Sequence, residues 1–173
     1  MKPGEFRAFI RESGVHNRCD LSQLFKNRDA FSAAVQSIAA PYRSERISLV
    51  AGIESMGLSL AGAVARELYA GVVMLRKPNK VAWTSIREPY HDYKKEDGHL
   101  EVVSDVFQSG DRVLIVDDWT ETGAQLAAAV NLVTMAGALV CGVAVLSADA
   151  KAQSRLVEMG YRLHFAFSYS TES

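Results

Sequence analysis

Apolar residues in this chain come in short unbroken runs, and most runs are followed by a stretch with helical spacing. ISLVAGI, Ile47 to Ile53, is continuous in the way a strand buried on both faces requires. GLSLAGAVARELY follows, with Leu60, Val64 and Leu68 on one helical stripe, and GVVML from Gly71 predicts a second strand. Beyond a polar gap, RVLIVDD (Arg112 to Asp118) predicts a third. The run from Thr122 to Ala148 lacks Asp, Glu, Lys, Arg and His, and is long enough to cross a membrane. Gln125, Asn131 and Thr134 interrupt it, and Ala136-Gly137 divides an Ala-rich half from the Val-rich ALVCGVAVL, so a helix, a turn and a buried strand are expected. A helix through Lys151 to Met159 and an alternating strand, YRLHFAFSYS, follow. Upstream, DLSQLFKNRDAFSAAVQSIA carries Leu24, Phe25, Phe31, Val35 and Ile38 and predicts one helix packed on the sheet.

This β-α-β rhythm predicts an α/β fold, a mostly parallel twisted sheet with helices on both faces. Such sheets bind ligands outside the carboxyl ends of their strands, which directs attention to the residues after Ile53 and Val116. A length of 173 residues, 49% of them hydrophobic, suits one core, so residues 1–173 are expected to form a single domain.

Charge and cysteine content narrow the function. Nineteen basic against 20 acidic residues leave a net charge of -1, without the basic footprint of a nucleic-acid binder. Cys19 and Cys141 are too few for a disulfide framework, and the start of the chain lacks a secretory pattern, so a cytoplasmic protein is expected. His16, His91, His99 and His164 are scattered without metal-ligand spacing, so no intrinsic metal site is indicated. GIESMGLS has the glycine spacing of a nucleotide-triphosphate loop, but Leu58 stands where that loop needs lysine.

The richest chemistry lies in VLIVDDWTETGAQ, Val113 to Gln125. Asp117 and Asp118 can accept hydrogen bonds from vicinal sugar hydroxyls. Backbone N–H groups from Thr120 through Glu121, Thr122 and Gly123 to Ala124 can surround a phosphate at the positive helix end. Thr120 and Thr122 add hydroxyls, and Gly123 allows close approach of the main chain. Taken singly, DD would be a strand cap and TETG a helix N-cap; together they describe a sugar-phosphate cradle.

This segment resembles the ribose-phosphate-binding signature of type I phosphoribosyltransferases. DLSQLFKNRDAFSAAV, AGIESMGLSLAGAVARELYAGVVMLRKPNK and SGDRVLIVDD extend the likeness in order over most of the chain, toward the adenine-type branch. The resemblance implies transfer of the phosphoribosyl group from phosphoribosyl pyrophosphate (PRPP) to a nucleobase, most simply a purine. Magnesium would arrive with PRPP, and the expected assembly is a homodimer without nucleic-acid or membrane partners. By resemblance, Asp117 and Asp118 hold the ribose hydroxyls and Thr120 to Gln125 the 5-phosphate. Glu54 and Ser55 lie in the pyrophosphate turn, and Arg76, Lys77 and Lys80 compensate the leaving group. A hood over residues 1–30 contributes to the base pocket, the core covers 31–173, and a mobile lid spans about 83–102.

Several positions depart from the family pattern. Met56 stands where the adenine-type turn carries arginine, and Arg18 falls near the position of the ring that stacks on adenine. Lys94 and Lys95 occupy the lid position of a catalytic glutamate; they either neutralise departing pyrophosphate or face water. Glu121, where hypoxanthine-guanine relatives place an acid beside the purine, is the candidate proton acceptor, or a first-turn carboxylate favouring the helix dipole. Trp119 either supports the base or packs beneath the turn. Two alternatives stay open: a non-catalytic sensor of PRPP or nucleotide, and a transferase for another heterocyclic base.

Overall fold

The computed structural model describes residues 1, 5–12, 19–91 and 97–167. A short 3-10 helix, Glu5–Phe9, and a two-stranded ribbon, β1 (Arg11–Glu12) with β2 (Cys19–Asp20), open the chain. α1 (Ser22–Lys26) and α2 (Arg28–Ala39) come next. The single helix expected here is broken at Asn27, whose extended backbone ends α1 while its side chain caps α2. The Asn27 carboxamide oxygen accepts from the backbone N–H of Asp29 at 3.1 Å and of Ala30 at 2.9 Å. The break lets Leu24 and the α2 face of Val35 and Ile38 enter one apolar cluster, while Phe25 and Phe31 meet at 5.1 Å on its margin.

β3 (Leu49–Ile53), α3 (Met56–Leu68) and β4 (Gly71–Leu75) form the first β-α-β unit. An antiparallel hairpin, β5 (Ser85–His91) with β6 (Asp97–Val103), precedes β7 (Arg112–Thr120), α4 (Ala124–Met135), β8 (Leu139–Ala148), α5 (Ala150–Glu158) and β9 (Leu163–Phe165). The central sheet has the order β4-β3-β7-β8-β9, and every pairing in it is parallel. All five strands therefore end on one side, and β3 and β7 sit inside the sheet where continuous apolar runs are required.

Two clusters cover the two faces. Val50, Leu114, Val116, Ala144 and Leu146 pack against α2 and α3. Ala51, Val113, Ile115, Val143 and Val145 pack against α4 and the hairpin, through Leu126, Val130, Tyr90, Leu100 and Val102. One face of the hairpin's base therefore belongs to the core. Gly137, at φ +87°, ends α4 where the sequence divides.

Two strand limits differ from expectation. β7 continues two residues past the acid pair because Trp119 and Thr120 still pair with Ser147 and Ala148 of β8. Among the described residues the closing strand is Leu163–Phe165, and positions 168–170 of the expected run lie outside them. Ala166 and Phe167 still donate to Val145 and Leu146 at 3.1 Å each, and the Phe167 ring meets Phe6 edge-on at 5.9 Å. Among the described residues, no helix is long and apolar enough to cross a membrane.

Asn27→Ala should remove both capping bonds and cost about 1 kcal/mol of stability. Asn27→Asp, which keeps an acceptor oxygen at a helix N-terminus, should lose much less; urea unfolding of the three proteins checks the order.

Candidate active site

Three neighbouring strands, β4, β3 and β7, deliver three chemically different tips to one edge of the sheet. At the tip of β7, Asp117 is buried and Asp118 half-buried. The Asp117 carboxylate accepts from the Asp118 backbone N–H at 2.9 Å. Burial, and then the neighbouring Asp118 charge, push the Asp117 pKa well above the usual aspartate range, while the Lys77 charge pulls the other way. A carboxyl in that state gains most from ligands that bring hydroxyl donors or positive charge.

Beyond the pair, the chain bends into α4. Thr120 is buried, and its hydroxyl accepts from the Gly123 N–H at 3.1 Å; the Thr122 hydroxyl accepts from the Ala124 N–H at 3.3 Å. Two of the amides expected to face a phosphate are therefore held by the loop's own hydroxyls, which fix its curvature. By helix geometry, the next first-turn N–H groups, of Gln125 and Leu126, have no acceptor inside α4. Gly123 has φ +72°, and a Cβ there would lie 3.0 Å from the Ala152 Cα, so the loop also packs tightly on α5. On its outer side, Thr122 lines an open groove of about 450 Å³ with Lys151, Ser154, Arg155 and Glu158. Glu121 is half-buried in the bend, and Trp119, also half-buried, lies in the paired part of β7.

The tip of β3 turns through Glu54 and Ser55, joined by a cis peptide, into α3. Ser55 is exposed, whereas Glu54 faces inward and accepts from the Lys77 N–H at 2.9 Å and from the Arg76 Nε at 3.2 Å. The Lys77 amide hydrogen bond, with help from Arg76 and Lys80, holds the Glu54 carboxyl below its ordinary range. Glu54 thus grips the neighbouring loop and does not itself offer donors to an anion. Gly57, in the first turn of α3, joins the two halves of the site: a Cβ there would lie 2.6 Å from Asp117 Oδ1.

At the tip of β4, Arg76, Lys77 and Lys80 lie on the loop beside Glu54. The Lys77 ammonium stands 6.0 Å from the centre of the Tyr90 ring. The fold therefore brings together Asp117, Asp118, Thr120 to Gln125, Glu54, Ser55, Arg76, Lys77 and Lys80. Arg18, Lys94 and Lys95 lie outside the described residues. Sequence reasoning missed Gly57 as the contact behind Asp117, and missed Glu101 of β6, which is fully buried against the basic loop. The glycine pair of GIESMG was a signal for Gly57; nothing local distinguished Glu101 from the charges around it.

An acidic strand tip with its amide-rich loop, a turn into a helix and a basic loop thus meet on three adjacent parallel strands. The chain belongs to the phosphoribosyltransferase family: the phosphoribosyl transferase domain model matches residues 21–164. It is 42% identical over 127 residues to an adenine phosphoribosyltransferase of Symbiobacterium thermophilum, an alignment covering 73% of this chain and 74% of the relative. The corresponding protein of Jannaschia is 36% identical over 154 residues, 87% of this chain and 84% of the relative. Among solved structures, the Giardia lamblia APRTase complexed with 9-deazaadenine superposes with a TM-score of 0.89 at 27% identity, covering 98% of both chains. The adenine phosphoribosyltransferase of Rhodothermus marinus gives 0.85 at 28% identity, covering 95% of this chain and 96% of its own.

Asp117→Asn should stabilise the ligand-free protein at pH values above the raised native pKa, because it removes a buried charge beside another. The native state keeps the Asp117 proton to higher pH than the unfolded chain does. Wild-type stability should therefore fall as pH rises from the ordinary aspartate range through the raised native pKa. The variant's advantage should be absent in acid and full above that pKa; thermal melts across pH check it, and a pH-independent difference contradicts it.

Proposed function

We propose that this protein is an adenine-type phosphoribosyltransferase that joins PRPP to a purine base, giving a nucleoside monophosphate and pyrophosphate. The observation that carries the proposal is the packing of the Asp117 tip directly against the α3 turn at Gly57, on the strand next to the one that leads into the basic loop. Ribose hydroxyls would donate to Asp117 and Asp118, and the 5-phosphate would sit on the loop from Thr120 to Gln125. Ser55, Arg76, Lys77 and Lys80 would meet the pyrophosphate, with Glu54 orienting Arg76 and the Lys77 amide.

In the reaction, a ring nitrogen of the base forms a bond to the anomeric carbon while the carbon–oxygen bond to pyrophosphate breaks and the leaving group takes the electron pair. The proton displaced from the ring nitrogen goes to an acceptor at the site's edge, a role that suits the half-buried Glu121. Positive charge grows on the sugar and negative charge on the leaving group, so the carboxylate pair and the cationic loop act on opposite ends of one separating bond. Trp119 and Arg18 are assigned to the base side. Lys94 and Lys95, in a lid between Trp83 and Val102, would close over pyrophosphate and limit hydrolysis.

Magnesium entering with PRPP fits this acceptor-rich tip, since Asp117 carries an electrostatic load that a cation relieves. When bound, it offsets charge on the pyrophosphate. The hood at 1–30 and the core at 31–173 are read as one domain. A homodimer is consistent with the exposed Val72 and Met74 of edge strand β4 beside exposed Tyr69. A cytoplasmic location is consistent with Cys19 and Cys141, neither of which forms a disulfide.

Incubation with PRPP, magnesium and a panel of bases should release pyrophosphate with adenine. Release with a different heterocycle alone would overturn the adenine assignment, and saturable PRPP binding without turnover on any base would identify a sensor. Replacing Asp117 and Asp118 together by Asn should weaken PRPP binding about 100-fold or more in calorimetry, since two charged acceptors are lost. Unchanged affinity would remove the site.

A further inference from the structure

Four polar or charged side chains are buried among the described residues: Asp117, Thr120, Ser147 and Glu101. The first three lie on β7 and β8. Glu101 lies on β6 of the hairpin, between Leu100 and Val102, which point into the core. Strand alternation would send its side chain to solvent. Instead the loop after β4 folds over it and leaves the carboxylate with no exposed surface.

The contacts of Glu101 span that loop. Its backbone exchanges two hydrogen bonds of 2.8 Å with Arg76 at the loop's start. One carboxylate oxygen accepts from the Lys80 N–H at 2.7 Å and from the Val81 N–H at 3.0 Å at its end. The other oxygen faces Arg87 Nε at 3.3 Å and His99 Nε2 at 3.8 Å. Burial opposes the charge, but the Lys80 and Val81 amides, with Arg87 and His99, outweigh it and hold the carboxyl below its ordinary range. Within the same loop, Glu54 takes the Lys77 amide. Both carboxylates grip the two lysines by main-chain N–H groups, so neither bond consumes an ammonium.

We propose that Glu101 is a positioning residue for the leaving-group loop: its buried carboxylate fixes the main chain at residues 80 and 81, so that Arg76, Lys77 and Lys80 present their charge to pyrophosphate. The proposal rests on the functional reading above. It also makes the base of the hairpin and the basic loop one mechanical unit, so displacement of the hairpin moves the cations with it.

Glu101→Ala and Glu101→Gln test the assignment, with kcat, the KM of each substrate, product inhibition by pyrophosphate, and hydrogen exchange at the Lys80 and Val81 amides as readouts. In the Ala variant the KM for PRPP and the inhibition constant of pyrophosphate should rise about tenfold while the KM for the base stays within about twofold. Both amides should exchange faster. Gln keeps an oxygen for the amides and should restore most of the loss, which general destabilisation would not produce. Should the Ala variant fail to fold, the Gln variant decides alone: small parallel losses in amide protection and pyrophosphate affinity support the clamp, and no change in either overturns it. Equal effects on both substrates also overturn it. A wild-type protein that neither binds PRPP nor releases pyrophosphate defeats the functional reading and this proposal together. Wild-type turnover with unaffected variants defeats the role of Glu101 alone.

Discussion

The arrangement depends on one costly placement, a buried aspartate next to a second aspartate at the tip of an internal strand. Desolvation and like charge both disfavour ionisation of Asp117. The surrounding fold must hold it there, with the Lys77 charge as a partial offset. Val113 to Val116, fully buried between β3 and β8, anchor the strand, and Gly57 closes over the carboxylate so tightly that no larger residue fits. What is unfavourable for the folded chain becomes specific for a ligand, because only a partner that brings donors or positive charge relieves it.

The parallel sheet turns this local feature into a site. Strand tips in the order β4-β3-β7 place cations, a turn and carboxylates in a row, so opposite charges are separated by one strand and do not collapse into an ion pair. Glu54 enforces the separation: it binds Arg76 and the Lys77 amide, keeping the loop upright beside β3. A substrate with hydroxyls in the middle and phosphates at both ends matches that row.

Features carried by contiguous residues were legible in the sequence. The apolar runs of β3 and β7, the helical stripe of α3 and the Ala136-Gly137 division needed no partner to be recognised, and the adjacent acids and Thr-Gly turn of VLIVDDWTETGAQ stood within thirteen letters. Other features depend on what lies opposite. Asn27 splits a helix because its side chain finds the N–H groups of Asp29 and Ala30, and β7 runs on to Thr120 because β8 is long enough to pair with it. The threonine hydroxyls, read as ligand donors, also accept from the loop's own amides, a role that shows only in the folded loop. Glu101 was the least legible, since a glutamate in a charged hairpin looks solvated until a loop remote in sequence is seen to cover it.

Met56 gives these details a common logic. It stands in the turn where, by the family resemblance, an arginine would add a leaving-group contact, and its half-exposed thioether offers no charge. On the proposed function, compensating a departing anion then falls to Arg76, Lys77 and Lys80, on a loop bridged to β6 at its start through Arg76. A loose loop would lose that charge to solvent screening and to conformational freedom, because preorganisation, more than charge count, sets electrostatic stabilisation. Two carboxylates from different parts of the chain, Glu54 after β3 and Glu101 of β6, hold its main chain at Lys77 and at Lys80 and Val81. In this chain the missing cation of one element and the doubled anchoring of its neighbour belong to the same solution.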